Sequence, residues 1–266
     1  MMKRALSTAL CLGIAFVCLL SCNPKQDEWI QLFNGENLEG WIPKITGYDV
    51  GENYGNTFRV EDGLLTVSYE NYYRFENRFG HLFYKDKFSD YHLRIEYRFV
   101  GKQVDGGEQW ATKNSGVMLH AQSPESMNNQ QDFPISLEAQ FLGGLNNGSR
   151  PTGSLCTPGT HVDIDGAFTQ QHCITSTAPT YHGEEWVTID ILVRSNQQIA
   201  HIIEGDTIIK YTNPIIGGGV VNNFKESVKL DGKEFYPFPI KLIVQVNFFQ
   251  THRLYFRLKI YNDLSP

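Results

Sequence analysis

The residues of this chain whose types and spacing could do chemistry sit on segments that alternate in polarity. In Ile135–Phe141, the apolar side chains Ile135, Leu137, Ala139 and Phe141 alternate with Ser136, Glu138 and Gln140, the period of a strand buried on one face. Glu138 and Gln140 therefore share the other face. Leu93, Ile95, Tyr97 and Phe99 likewise oppose Arg94, Glu96 and Arg98, and in the segment beginning at Asn114, His120 shares a side with Gly116 and Met118. Carboxylates, an imidazole and guanidinium groups on polar sheet faces are the groups that proton transfer and electrostatic stabilisation use. A plainer use also exists: Glu96 and Arg98, two apart on one strand face, can serve only in cross-strand ion pairs.

Such groups need elements to hold them. Val187, Ile189, Ile191 and Val193 oppose Thr188, Asp190 and Arg194, and two sheets of this kind stacked on their apolar faces make a sandwich. One outer face, if curved, becomes a polar cleft. Glu61-Asp62-Gly63 and Glu204-Gly205-Asp206 each join two strand-like runs as hairpins. The stretch from Tyr69 to Phe79 is aromatic and aperiodic, and Gly101 to Lys113 reads as a polar, glycine-rich loop. Gly217-Gly218-Gly219 is a loop rather than a phosphate cradle, since no helix pattern or Lys-Thr/Ser follows it. With no amphipathic helix in view, the expectation is all-β, about 12 to 15 short strands in a sandwich or jelly roll of two antiparallel sheets.

The chain has 266 residues, 41% hydrophobic and 13% aromatic, enough for one sizeable core. Lys3 and Arg4 precede an apolar run from Ala9 to Leu20, the pattern of a secretory signal. It ends in Leu19-Leu20-Ser21-Cys22, which resembles the lipobox of bacterial lipoproteins. That resemblance implies a lipid on Cys22 and a chain tethered to a membrane rather than spanning it. The expected organisation is a signal over 1–22, a tether over 23–29 and one domain over 30–264, exported and held at the outer membrane on its periplasmic or surface side. Of the five cysteines, Cys156 and Cys173 then remain, and in an exported protein they are expected to pair. Net charge is −6, and the absence of basic clusters argues against nucleic acid as a partner.

Several phrases together resemble one family. Leu32-Phe33-Asn34-Gly35-Glu36-Asn37-Leu38-Glu39-Gly40-Trp41 is similar to the opening of the 3-keto-disaccharide hydrolases, formerly domain of unknown function 1080. In order follow Asp62-Gly63-Leu64-Leu65, Phe88-Ser89-Asp90-Tyr91 running into Glu96-Tyr97-Arg98, Asn114-Ser115-Gly116-Val117, Glu138-Ala139-Gln140 and Thr152-Gly153-Ser154-Leu155. Cys156 stands where that family usually has an aromatic, and Gln245 and His252 only partly keep its closing pattern.

The resemblance implies a concanavalin-like jelly roll acting on a glycoside already oxidised at C3 of the sugar. The ketone acidifies the C2 proton, a base removes it, the C1 substituent leaves, and water adds to the enone. That chemistry needs a base, a group to stabilise the enolate and an acid. For these roles we expect Glu138 or His120 as base, Arg98 as stabiliser and Glu96 as acid or orienting group, with Gln140 and Asn114 binding substrate. A divalent metal held by carboxylates and His could replace the Arg function, although no spacing demands it. Two other classes use the same cleft: a glycosidase with Glu96 and Glu138 across the bond, and a noncatalytic carbohydrate-binding module.

Overall fold

The structure, a computed structural model, describes residues 29–217, 221, 241–244 and 253–261. The expected signal over 1–22 with Cys22, the tether up to residue 28, and Gln245 and His252 lie outside them. In chain order the described strands are β1 (Ile30–Gln31), β2 (Trp41–Ile45), β3 (Phe58–Glu61), β4 (Leu64–Val67), β5 (Gly80–Lys87), β6 (Asp90–Val100), β7 (Asn114–Ala121), β8 (Leu137–Leu142) and β9 (Ser154–Cys156). There follow β10 (Thr160–Ile164), β11 (Ala167–Thr169), β12 (Cys173–Ile174), β13 (Val187–Arg194), β14 (Gln198–Ile203), β15 (Asp206–Ile216), β16 (Lys241–Val244) and β17 (Arg253–Tyr261). Only short 3-10 turns accompany them among the described residues. The count exceeds the sequence expectation because pieces as short as β11 and β12, three and two residues, carry no readable period.

The strands form two antiparallel sheets, the concanavalin-like jelly-roll sandwich that the family resemblance implies. The larger, ten-stranded sheet runs β11-β10-β15-β14-β13-β6-β17-β4-β3 with β1 on β17, and the smaller, seven-stranded one runs β12-β9-β8-β7-β16-β5-β2. Both C-terminal strands enter the middle of a sheet, so the last part of the chain completes each layer. β17 pairs with β6 from Arg253↔Val100 to Tyr261↔His92, and β16 lies between β7 and β5.

Alternation decides which faces meet. Along β6, Tyr91, Leu93, Ile95, Tyr97 and Phe99 are buried while the residues between them are half-exposed, and Ile95 lies opposite Ile189 of β13. Val117 and Leu119 of β7 and Leu137, Ala139 and Phe141 of β8 belong to the same core. Tyr97 and Phe141 stack across the layers with ring centroids 4.4 Å apart, and the Tyr97 hydroxyl is 2.5 Å from Thr152 Oγ1. The apolar faces of β6 and β8 are thus pressed together. Their polar faces necessarily look out on opposite sides of the sandwich.

Buried imidazoles make this fold sensitive to acid. Burial pushes His81 down to about 3 and His120 and His201 down to about 4. The His201 ring is bonded at Nδ1 to the Gly153 carbonyl (2.7 Å) and at Nε2 to the Tyr211 hydroxyl (3.0 Å), and His81 Nε2 donates to the Asp132 carbonyl at 2.7 Å. All three rings are therefore neutral in the folded state at neutral pH. Below about pH 6.5 the unfolded chain binds protons that the folded one does not, so stability falls as pH falls, by about 1.4 kcal/mol per pH unit per ring until the folded values are reached. Calorimetry should show the thermal midpoint dropping steadily from pH 7 to pH 4.5. A flat profile would contradict these burials.

Candidate functional site

The outer face of the smaller sheet carries a row set by register. Gly116 pairs with Gln140 and Met118 with Glu138; Gln140 pairs with Ser154 and Glu138 with Cys156. Glu138 is 6% exposed. Its carboxylate folds over Gly116: a Cβ there would lie 2.5 Å from Glu138 Oε1 and 2.8 Å from the Ala139 carbonyl oxygen. Glycine at 116 is thus what leaves room for this carboxylate. Cys156 is joined to Cys173 of β12 in a disulfide with 17 residues of sequence separation, a loop whose closure contributes about 3 kcal/mol. The cross-link tethers the edge strand β12 to β9, the strand beside Glu138. On the other flank Phe83, Met118, Ala121 and Met127 form a small apolar cluster with Ile42 and Phe133, so the loop after β7 roofs part of the face.

Beside Glu138, roughly 7 Å along β8 by strand rise, the face opens at Gln140 into a cleft of about 690 Å³ lined by Glu108, Trp110, Asn114, Gln140, Leu145 and Arg150, among others. Trp110, which is 53% exposed, gives the cleft an aromatic side chain. Arg150 is clamped: Nη1 donates to the carbonyls of Lys113 (3.0 Å) and Gly143 (2.6 Å), and Nη2 to that of Trp110 (3.3 Å). Burial lowers its pKa to about 10, which leaves it a cation at neutral pH. Asn114 Nδ2 donates to the Trp110 carbonyl at 3.5 Å, whereas Asn114 Oδ1 is buried without a partner. The loop that presents Trp110 is thereby tied to β7 and to the segment before β9.

The sequence expectation brought Glu138, His120, Arg98 and Glu96 to one site; the fold separates them. Glu96 and Arg98 are on β6 of the larger sheet, opposite Thr188 and Tyr255, with the Arg98 guanidinium 5.0 Å over the Trp186 ring. They face away from Glu138 across the whole sandwich. The alternation was read correctly in each strand, but β6 and β8 belong to different layers. Glu96 and Glu138 therefore cannot straddle one glycosidic bond. His120 is diverted by a bulge: Lys241 pairs with Ala121 and Ile243 with Met118, so β7 carries an extra residue, and His120 takes φ +49°. Met118 and Ala121 keep the outer face, while the His120 ring bonds to the Ser195 backbone and senses Asp90, just past the end of β13 and at the start of β6 in the larger sheet. Glu138, Gln140 and Asn114 remain together.

Trp110, Arg150 and Glu108 escaped the sequence reading because loop residues have no period. The available signal was a tryptophan inside an otherwise polar, glycine-rich loop. For a divalent metal, the one group of three potential ligands among the described residues is Cys156, His172 and Cys173, whose two sulfurs are bonded to each other. No carboxylate–imidazole set of the expected kind accompanies it among the described residues.

Comparison with known proteins gives a match to the model of the 3-keto-alpha-glucoside-1,2-lyase-like domain over residues 28–237. None of the curated proteins matches the sequence. Among solved structures, the chain is similar to a proposed glycosyl hydrolase from Parabacteroides distasonis, with 17% identity, 88% of this chain and 98% of that chain covered and a TM-score of 0.48. It is also similar to the laminarinase from Rhodothermus marinus, with 11% identity, 90% and 95% coverage and a TM-score of 0.46.

Proposed function

We propose a function from one premise: the chain belongs to the 3-keto-alpha-glucoside-1,2-lyase-like family. On that premise the outer face of the smaller sheet cleaves 3-keto-glycosides by elimination at C1. The observation that carries the reading is the Glu138 carboxylate lying over Gly116, beside a cleft furnished with an aromatic side chain, the amides of Gln140 and Asn114 and a clamped guanidinium.

In this reading the sugar ring lies against Trp110, with Gln140 and Asn114 Oδ1 taking hydroxyl groups. Glu138 removes the C2 proton, and the electrons of that C–H bond pass into the enolate at O3. Arg150 supports the negative charge: of its five donors, three are spent on carbonyls, leaving two for the oxygen. The enolate then re-forms the ketone as the C1–O bond breaks, and Glu138, now a carboxylic acid, returns the proton to the departing oxygen. Water adds to the enone at C1 with a proton at C2, so the sum is hydrolysis. One carboxylate suffices for both transfers, and Glu96, the partner a two-carboxylate glycosidase would take in the sequence reading, lies in the other layer. The lipid anchor expected on Cys22 would place this activity in the cell envelope.

The test is aglycone release by the soluble form lacking residues 1–22, given a 3-keto-glucoside and its parent glucoside. Release from the keto substrate alone is expected. Release from the parent at a comparable rate would overturn the elimination reading, and saturable binding without turnover of either would favour a binding module.

A further inference from the structure

The opposite face of the molecule holds a second cleft that the chemistry above does not use. It measures about 350 Å³ and is lined by Arg94, Tyr181, Trp186, Val187, Thr188, Asp190, Glu204 and Gly205, within the size range of small-ligand pockets. β6 and β13 build its floor, with Arg94 directly opposite Asp190, and the turn at Glu204-Gly205 between β14 and β15 forms one wall.

Its side chains are fixed before any ligand arrives. Arg94 Nε and Nη2 fork onto the two Asp190 oxygens at 2.7 and 2.9 Å, and His92 Nε2 lies 2.7 Å from Asp190 Oδ1. Burial pushes the Asp190 carboxyl up, but the bonds from His92 and Arg94 outweigh it and hold the group below its usual range. The Arg94 guanidinium also lies 5.3 Å over the Trp29 ring and that of Arg98 5.0 Å over Trp186, which sets the indole planes. The Tyr181 hydroxyl donates to Glu204 Oε1 at 3.4 Å.

We infer that this cleft is a second, noncatalytic saccharide-binding site, taking a neutral glycan. Two aromatic side chains supply apolar surface for sugar C–H faces, and carboxylates, a hydroxyl and the unspent Arg94 donors supply partners for hydroxyl groups. An anionic ligand fits poorly, because the one cation in the lining is already neutralised by Asp190 and Glu204 adds a further negative charge. A face that holds polymer would raise the local concentration of chain ends at the opposite cleft. The inference does not depend on the reaction assigned to the smaller sheet.

Native affinity electrophoresis of the soluble form lacking residues 1–22, in gels containing laminarin, soluble starch, xyloglucan or galactomannan, tests it, with polygalacturonate as the anionic comparator. Retardation by at least one neutral glycan is expected, unchanged in Glu138→Gln and Trp110→Ala. Trp186→Ala and, leaving that ring in place, Thr188→Arg should each weaken binding at least tenfold, with thermal midpoints measured to establish folding. Thr188→Arg should leave cleavage of the 3-keto-glucoside unchanged, so the two readings fail separately. No retardation by any neutral glycan, retardation by polygalacturonate alone, or loss of binding on Trp110→Ala but not Thr188→Arg would overturn the inference.

Discussion

Glu138→Gln should lower kcat/KM for a 3-keto-glucoside by about a hundred- to ten-thousand-fold, the range for loss of a positioned proton-transfer group, while the thermal midpoint moves little. Gln keeps the size and one acceptor of the Glu138 side chain but cannot take the C2 proton. A fall in kcat rather than a rise in KM is the signature of a group acting in the transition state. The companion variants Glu96→Gln and Arg98→Lys should leave kcat/KM within about twofold, because those residues lie on the outer face of the larger sheet. Steady-state kinetics on the three variants side by side decides between the two faces. Activity retained in Glu138→Gln and lost in Glu96→Gln would reverse the assignment.

Gly116→Ala should be nearly as damaging, although the added group is only a methyl. A Cβ at this position would meet Glu138 Oε1 at 2.5 Å, Glu138 Cγ at 2.8 Å and the Ala139 carbonyl oxygen at 2.8 Å. The carboxylate is the end of a side chain and can swing aside; the carbonyl is backbone of β8 and cannot move without disturbing its pairing with β7. Overpacking of this kind costs about 1–3 kcal/mol, and the swing takes the base from its place. A displacement of about 1 Å can cost a hundredfold in rate, so the expected result is a loss of at least that size together with a thermal midpoint lowered by several degrees. Wild-type kinetics from a folded Gly116→Ala would show that Glu138 is not held over Gly116.

Much of the fold was legible because alternation reports burial directly. The apolar residues of β6, β8 and β13 were identified as inward-facing, and they are the ones that meet in the core. What alternation cannot report is which layer a strand joins. β6 and β8 have the same pattern, yet one lies beside β13 and β17 and the other between β7 and β9, so polar residues that looked like companions are separated by the whole core. A bulge defeats the pattern in another way. One extra residue in β7 re-aims His120 while Met118 and Ala121 keep their side, and nothing in Val117-Met118-Leu119-His120 announces it. Arg150 was hidden for a third reason: its place in the cleft comes from carbonyls at Trp110, Lys113 and Gly143, contacts between loops distant in sequence. Glu138, Gln140 and Asn114 were legible because adjacent strands of one sheet carry them in register.

The central claim, that cleavage proceeds by removal of the C2 proton, is tested most directly by turnover in deuterated water. Product formed from a 3-keto-glucoside would be followed by NMR, over times short against uncatalysed exchange and beside an enzyme-free control. Elimination and rehydration predict one deuterium at C2 of the released sugar in every turnover, with Glu138→Gln losing incorporation and release together. Release of a sugar that still carries its original C2 hydrogen would contradict the account, since the C1–O bond would then have broken without any enolate.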